Sequence, residues 1–206
     1  MVPTVLLAQN ENSLSVKVNG EEFSAKPRKV KMRHYAYLTS NTTKPETMLR
    51  VWLADFKGNS ITESGTYLVV NADNPPSKKE MKAEELVEKY EGYAAIRYVV
   101  ETKSPRMSYH VGDSQNNNET IEVKNTGDGF IELTFNVELA GTHWKEKNAA
   151  TIVGGVGRFQ SKLEDKALSK ATGFDWNIDP EGNGYKKLKE TDTIELSNGK
   201  MIVKID

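Results

Sequence analysis

Ile131-Glu-Leu-Thr-Phe-Asn-Val-Glu-Leu139 alternates apolar and polar residues without a break. Ile131, Leu133, Phe135, Val137 and Leu139 fall on one side of an extended chain, and Glu132, Thr134, Asn136 and Glu138 on the other. Successive side chains of a strand point to opposite faces, so this period of two marks a strand with one face in a core and one in water. Antiparallel sheets are built that way.

The same period recurs along the chain. Leu14, Val16 and Val18 alternate with Ser13, Ser15 and Lys17, and the run stops at Asn19-Gly20, a strong short-range hairpin signal. Val30, Met32, His34, Ala36 and Leu38 alternate with Lys29, Lys31, Arg33, Tyr35 and Tyr37, which predicts one strand. Segments 49–56 and 93–100 are apolar on both faces and predict strands that are central or covered by another element. Shorter strands are expected at 66–70, 108–111, 120–124, 151–153, 193–196 and 201–205. The last two flank Ser197-Asn198-Gly199-Lys200, which predicts a C-terminal β-hairpin turning on Asn-Gly.

One helix is well signalled. After Pro75-Pro76, Ser77 and Glu80 have capping-box spacing, Ala83, Leu86, Val87 and Tyr90 recur at helical intervals, and Gly92 offers a stop. Ser161 and Glu164 repeat the capping spacing before a stripe of Leu163, Ala167, Leu168 and Ala171, with Gly173 to close it. The whole predicts an all-β domain of about nine to eleven strands, an antiparallel β-sandwich or flattened barrel. One helix is inserted at about 77–90, and an irregular, partly helical insertion occupies about 142–190.

Composition narrows the function. The chain has 206 residues, enough for one large domain with its own core. It carries 28 basic and 29 acidic residues, a net charge of −1 with no basic stripe, which argues against a nucleic-acid partner. There is no cysteine, so disulfides, thiol nucleophiles and zinc–thiolate sites are excluded. No run approaches the roughly 20 apolar residues that a membrane-spanning helix needs. At the N-terminus the apolar run Val5-Leu6-Leu7-Ala8 stops at polar Gln9-Asn10-Glu11-Asn12. That pattern reads as the tail of a secretory signal peptide over residues 1–9, ahead of a single β-domain at 10–206. It predicts a periplasmic or extracellular protein, and without a cysteine the export is of the non-lipidated kind.

The motifs that carry chemistry are few. Asp175, Asn177, Asp179, Glu181 and Asn183 place oxygen side chains at alternate positions, as a calcium loop does. The positions for its Gly and its bidentate Glu hold Pro180 and Lys186, so a polar surface turn is the expectation. Gly154-Gly155-Val156-Gly157 has no Walker Lys-Ser/Thr beside it and reads as a strand corner. His34 falls on an apolar strand face, and His110 and His143 have neither His-x-x-x-His nor facial-triad spacing; the reading assigns no metal and no cofactor. No serine lies in a Gly-x-Ser-x-Gly elbow, so no catalytic residue is assigned. The aromatic residues are the remaining lead, because an amphipathic ring facing solvent can stack on a sugar or anchor a partner. Trp52, Tyr98, Tyr109, His110, Trp144 and Trp176 are the candidate ligand-binding residues.

Four landmarks carry a resemblance: Ser15-Val-Lys-Val-Asn-Gly-Glu-Glu-Phe-Ser-Ala25, Glu63-Ser-Gly-Thr-Tyr-Leu68, Asp128-Gly-Phe-Ile-Glu-Leu-Thr-Phe135 and Thr193-Ile-Glu-Leu-Ser-Asn-Gly-Lys-Met-Ile-Val203. Their order resembles a group of small exported β-domains of unknown function common in Bacteroidota. The chain departs from that group at Leu133-Thr-Phe135, which lacks the group's Gly, in the 142–190 insertion and in lacking a lipobox cysteine. The resemblance implies a fold and export, and it brings no catalytic residues. Locally, Ala150-Thr-Ile-Val-Gly-Gly-Val-Gly-Arg-Phe159 resembles the Gly-rich corner of dirigent and allene-oxide-cyclase-like barrels, without their catalytic constellation. Two functions compete: an exported, non-enzymatic β-domain binding a glycan or a protein through loops and exposed aromatics, and a lipocalin-like carrier or small β-barrel enzyme with an internal apolar cavity.

Overall fold

Residues 131–139 form the middle of a 17-residue strand, and their buried and exposed positions alternate as the sequence does. The structure, a computed structural model, describes residues 11–32, 35–43, 46–56, 64–72, 74, 76–77, 79–80, 83–102, 107–127, 129–147, 180 and 184–204. In chain order its strands are β1 (Ser13–Val18), β2 (Glu21–Ala25), β3 (Arg28–Met32), β4 (Tyr35–Thr43), β5 (Glu46–Asp55), β6 (Gly65–Val69), β7 (Gly92–Thr102), β8 (Ser108–Ser114), β9 (Thr120–Gly127), β10 (Phe130–Glu146) and β11 (Tyr185–Lys204). One helix, α1 (Glu84–Lys89), precedes β7.

All eleven strands join one sheet in the order β2-β1-β11-β10-β9-β6-β7-β5-β4-β3, with β8 bonded to both β10 and β7. Every pairing is antiparallel except β6 with β7. Parallel neighbours need a crossover connection, and the segment bearing α1 supplies it. The two edges of the sheet approach each other, β3 towards β11 and β2 towards β4, which makes the flattened barrel expected from the strand pattern. Inside it lie Leu14, Val16, Leu49, Val51, Ile96, Ile121, Leu133, Leu139, Ile194 and their neighbours, nearly all without solvent contact. Each fully buried aliphatic side chain of this kind is worth about 1.5–3 kcal/mol. Strands β5 and β7 are buried on both faces, as their apolar sequences predict.

The sheet forks. One edge of β10 pairs with β9 through residues 130–135 and with β8 through residues 139–145. Likewise β7 pairs with β6 through Gly92–Ala94 and with β8 through residues 97–102. Two strands therefore bridge β7 and β10 at one end and a single strand at the other. At the junction a ladder cannot continue, yet buried backbone groups still need partners. Fully buried Ser114 supplies them: its hydroxyl accepts from Ile96 N–H at 2.9 Å and donates to the Val70 carbonyl at 2.7 Å. The Gln115–Asn118 loop, polar as its sequence requires, ties in the chain after β6. Asn71 N–H donates to Asn116 Oδ1, and Asn71 Nδ2 donates to Gln115 Oε1, both at 2.9 Å. Beside the fork, Arg97 and Asp113 stand opposite each other on β7 and β8 and pair through Nε–Oδ1 at 2.6 Å, both buried.

Several expectations change. Asn19-Gly20 does turn β1 into β2, with φ of 49° and 85° at its two residues. The Asn198-Gly199 pair does not turn the chain, because β11 runs straight through it as one 20-residue strand. Asn198 has a φ of 53°, and Ser197-Asn198 together oppose Asn136, a β-bulge in place of a hairpin. The left-handed conformation that Asn favours serves either purpose. The run around 29–38 is two strands: β3 and β4 pair from Met32 with Tyr35 outwards, so Val30 and Met32 share a face with Tyr37 and Tyr35, and Ala36 and Leu38 fall on the opposite one. The capping box forms, Ser77 N–H to Glu80 Oε2 at 2.7 Å and Glu80 N–H to Ser77 Oγ at 3.3 Å. The helix itself begins only at Glu84, after extended Ala83, so the span 77–90 shrinks to six residues and Gly92 opens β7. The insertion shrinks too, since Thr142–Glu146 and residues 185–190 belong to β10 and β11. His34, the strand expected at 151–153, the Gly-rich resemblance at 150–159, the helical signals at 161–173, nearly all of the calcium-like loop and the N-terminal run lie outside the described residues.

Replacing Ser114 by Ala strands one buried N–H and one buried C=O together. A loss of about 2–4 kcal/mol in urea-denaturation stability is expected, against less than about 0.5 kcal/mol for Ser15→Ala on an exposed strand face. A Ser114→Ala variant as stable as wild type would show that the fork does not need the hydroxyl.

Candidate functional site

Beyond the fork, β8, the last third of β10 and the first third of β11 form a three-stranded arm. The inward parity of β10 runs on from Leu139 through Gly141 to His143. On β8 the residue facing His143 is His110, and Gly112 faces Gly141. The two imidazoles stack, with ring centroids 4.3 Å apart and planes inclined by 10°. On the other side β11 brings in Asp192 opposite Gly141. Its Oδ1 lies 2.9 Å from His110 Nε2 and its Oδ2 lies 3.5 Å from His143 Nε2. Gly141 permits this meeting, because a Cβ there would collide with Asp192 Oδ1 and stand 3.0 Å from His110 Nε2. Next to Asp192 the register slips, so that Leu188, Lys189 and Glu190 together oppose His143. A bulge of this sort re-aims the side chains beside it.

The group is open to solvent, with side-chain exposures of 28% for His110, 35% for His143 and 44% for Asp192. Partial burial works against the Asp192 charge, but hydrogen bonds and charge from His110 and His143 outweigh it and hold the carboxyl below its ordinary range. The three side chains put donor atoms within 4.8 Å of one another.

A second concavity lies across the outer face of β9, β10 and β11, a groove of about 590 Å³. Glu122, Thr134 and Lys200 cross it in register, and Glu119, Asn136 and Asn198 close one end. Glu119 Oε1 accepts from the Glu138 N–H at 2.8 Å, which replaces a missing ladder bond near the fork. Its Oε2 is buried and has no partner among the described residues, and burial is the main cause that pushes this carboxyl above its ordinary range.

The aromatic candidates have other duties. Tyr98 is buried in the core, edge-on to Phe23 at 6.1 Å, and its hydroxyl is pushed up to about 12 by burial with a contribution from Glu21. Tyr109 is buried as well; its hydroxyl donates to Glu101 Oε2 at 3.1 Å and its ring meets Tyr185 edge-on at 5.0 Å. Burial first, then Tyr185 and Glu101, raise its phenol so far that it stays protonated at any physiological pH. Trp144, half-buried, pairs across the strands with Tyr109, donates from Nε1 to Thr142 Oγ1 at 3.2 Å, and lies under Lys187. Trp52 is half-buried on β5. Trp176 is outside the described residues. Of the five that are described, only His110 enters the imidazole–carboxylate group.

The partners of His110 escape a reading by spacing, because His143 and Asp192 lie far along the chain and meet only through strand pairing. One sequence signal was present. Strand parity carried past Leu139 assigns Gly141 and His143 to the inner face, where a glycine beside a histidine marks a place kept open.

No protein-family model matches the chain, and neither a curated protein nor a solved structure does. Among the described residues no helix is long and apolar enough to cross a membrane.

The Asp192 geometry sets a sign. A carboxyl whose folded pKa is depressed contributes stability above its unfolded pKa and loses it as pH falls through the folded value. The thermal midpoint of Asp192→Asn should therefore lie below that of wild type at pH 7, and the gap should close at an acid pH below the ordinary aspartate range. Thermal scans at both pH values in the presence of a chelator check this; a gap that persists in acid would contradict it.

Proposed function

We propose that this chain is an exported, non-enzymatic β-domain that binds a hydroxyl-rich ligand, a glycan, in the outer groove of β9, β10 and β11. The observation that carries the reading is the buried, unpartnered Oε2 of Glu119 at that groove. A buried acceptor without a donor is costly, about 1–3 kcal/mol, and a ligand hydroxyl would relieve it. Around it the groove offers what sugars need. Glu122 accepts, Lys200 donates, and Thr134, Asn136 and Asn198 do both. The candidate rings give way here to polar side chains, since Tyr98 and Tyr109 are engaged in packing. An interior filled by aliphatic side chains favours a surface site over a carrier's cavity. Export rests on the Val5–Gln9 pattern and on the cysteine-free composition.

A glycan array probed with the purified chain tests the binding. Wild type should retain one glycan class, Glu119→Gln and Asn136→Ala should each weaken it about 5–10-fold, the equivalent of one hydrogen bond, and Trp144→Ala should leave it unchanged. No retained glycan, or loss on Trp144→Ala alone, would overturn the groove. N-terminal sequencing of protein recovered from culture medium, beginning at Gln9 or Asn10, tests the export.

A further inference from the structure

We infer that His110, His143 and Asp192 form a binding site for one divalent transition-metal ion of the zinc class. The site is independent of the groove: Thr134 and Asn136 face outwards from β10, whereas His143 has the opposite parity.

The distances carry the argument. An ion held by nitrogen and carboxylate oxygen at about 2.0–2.1 Å in tetrahedral geometry keeps its donors about 3.3–3.4 Å apart. The two nitrogen–oxygen separations, 2.9 Å from His110 to Oδ1 and 3.5 Å from His143 to Oδ2, lie on either side of that value, one to each oxygen of the carboxylate. Three lone-pair donors brought this close need a positive charge between them, which a proton or a metal ion can provide. The stacked rings aim their Nε2 atoms side by side, so each must turn towards the other to share an ion; their exposure leaves room to turn. Two further features belong to the same group. Gly141 clears the space the donors occupy, and the three-residue bulge of β11 opposite His143 sets the approach of Asp192.

The donor set selects the ion. Two imidazoles and one carboxylate suit zinc, cobalt or nickel, while calcium and magnesium prefer oxygen throughout. Three protein ligands leave a fourth position for water or for an atom of a partner, and the solvent-facing side of the group is where it would sit.

The test uses the full chain, without an affinity tag, freed of metal by a chelator and titrated with Zn²⁺ and with Co²⁺ by calorimetry. One ion per chain is expected. His110→Ala and His143→Ala should each weaken binding at least about 100-fold, Asp192→Asn about 10–100-fold, and Gly141→Ala should weaken it with all three ligands still present. His34→Gln should bind as wild type does. Since a variant can fail to fold, imidazole NMR signals of the wild type are followed through the Zn²⁺ titration: two of the three histidines should shift at one equivalent. Binding that survives His110→Ala and His143→Ala, shifts in fewer than two histidines, or no uptake at 100 µM ion would overturn the assignment. Loss of glycan binding in the array leaves this result untouched, so the two proposals fail separately.

Discussion

The fork between β7 and β10 is the constraint around which the sheet is arranged. A sheet can change from one bridging strand to two only where backbone groups are given other partners, and inside a barrel water cannot be that partner. Ser114 meets this need with a single hydroxyl that accepts on one side and donates on the other. Glu119 supplies an acceptor for the Glu138 N–H on the solvent side. The Arg97–Asp113 pair lies one residue from Ser114 and holds β7 and β8 in register with two buried charges. A hydrophobic pair of similar size would fill that space as well, but it would not fix which residue of β8 faces which of β7.

Both candidate sites take their positions from this fork. On the two-strand side, the widened surface of β9, β10 and β11 makes the polar groove, and Glu119 stands at its end because the fork placed it there. On the one-strand side, β8 is brought next to β10 and so His110 next to His143. Had β9 continued in place of β8, His110 would not stand beside His143. The sheet's irregularity therefore has more to do with function than its regular strands, which chiefly build the core.

Much of the fold was legible in the sequence. Period-two alternation located β1 and β10, two-sided apolar runs marked β5 and β7 as covered, and Asn19-Gly20 announced a real hairpin. Where the reading went astray, one local signal had two structural uses. Asn198 in a left-handed conformation bulges a strand as readily as it turns one, and Ser77 with Glu80 caps a turn as readily as a helix. Alternation over 29–38 could not report that two strands lie there, since each of β3 and β4 alternates by itself and the change of face between them leaves no mark in the sequence. The imidazole–carboxylate group was hidden for a deeper reason. Its members are joined by register alone, and register depends on which strands pair, a property of the whole sheet that no window of sequence contains.

The pairing of β1 with β11 has a consequence for how the molecule comes into being. Ser13 through Val18 bond to residues 196–202, so the first and the last of the described strands are neighbours. Such long-range closure is slow, because the loop entropy must be surrendered before contacts repay it. While the chain is being synthesised, β1 and β2 can form only their own hairpin, which alone is marginal. The barrel therefore closes only once β11 has been made, as one late event, and until then β1 lacks its partner strand.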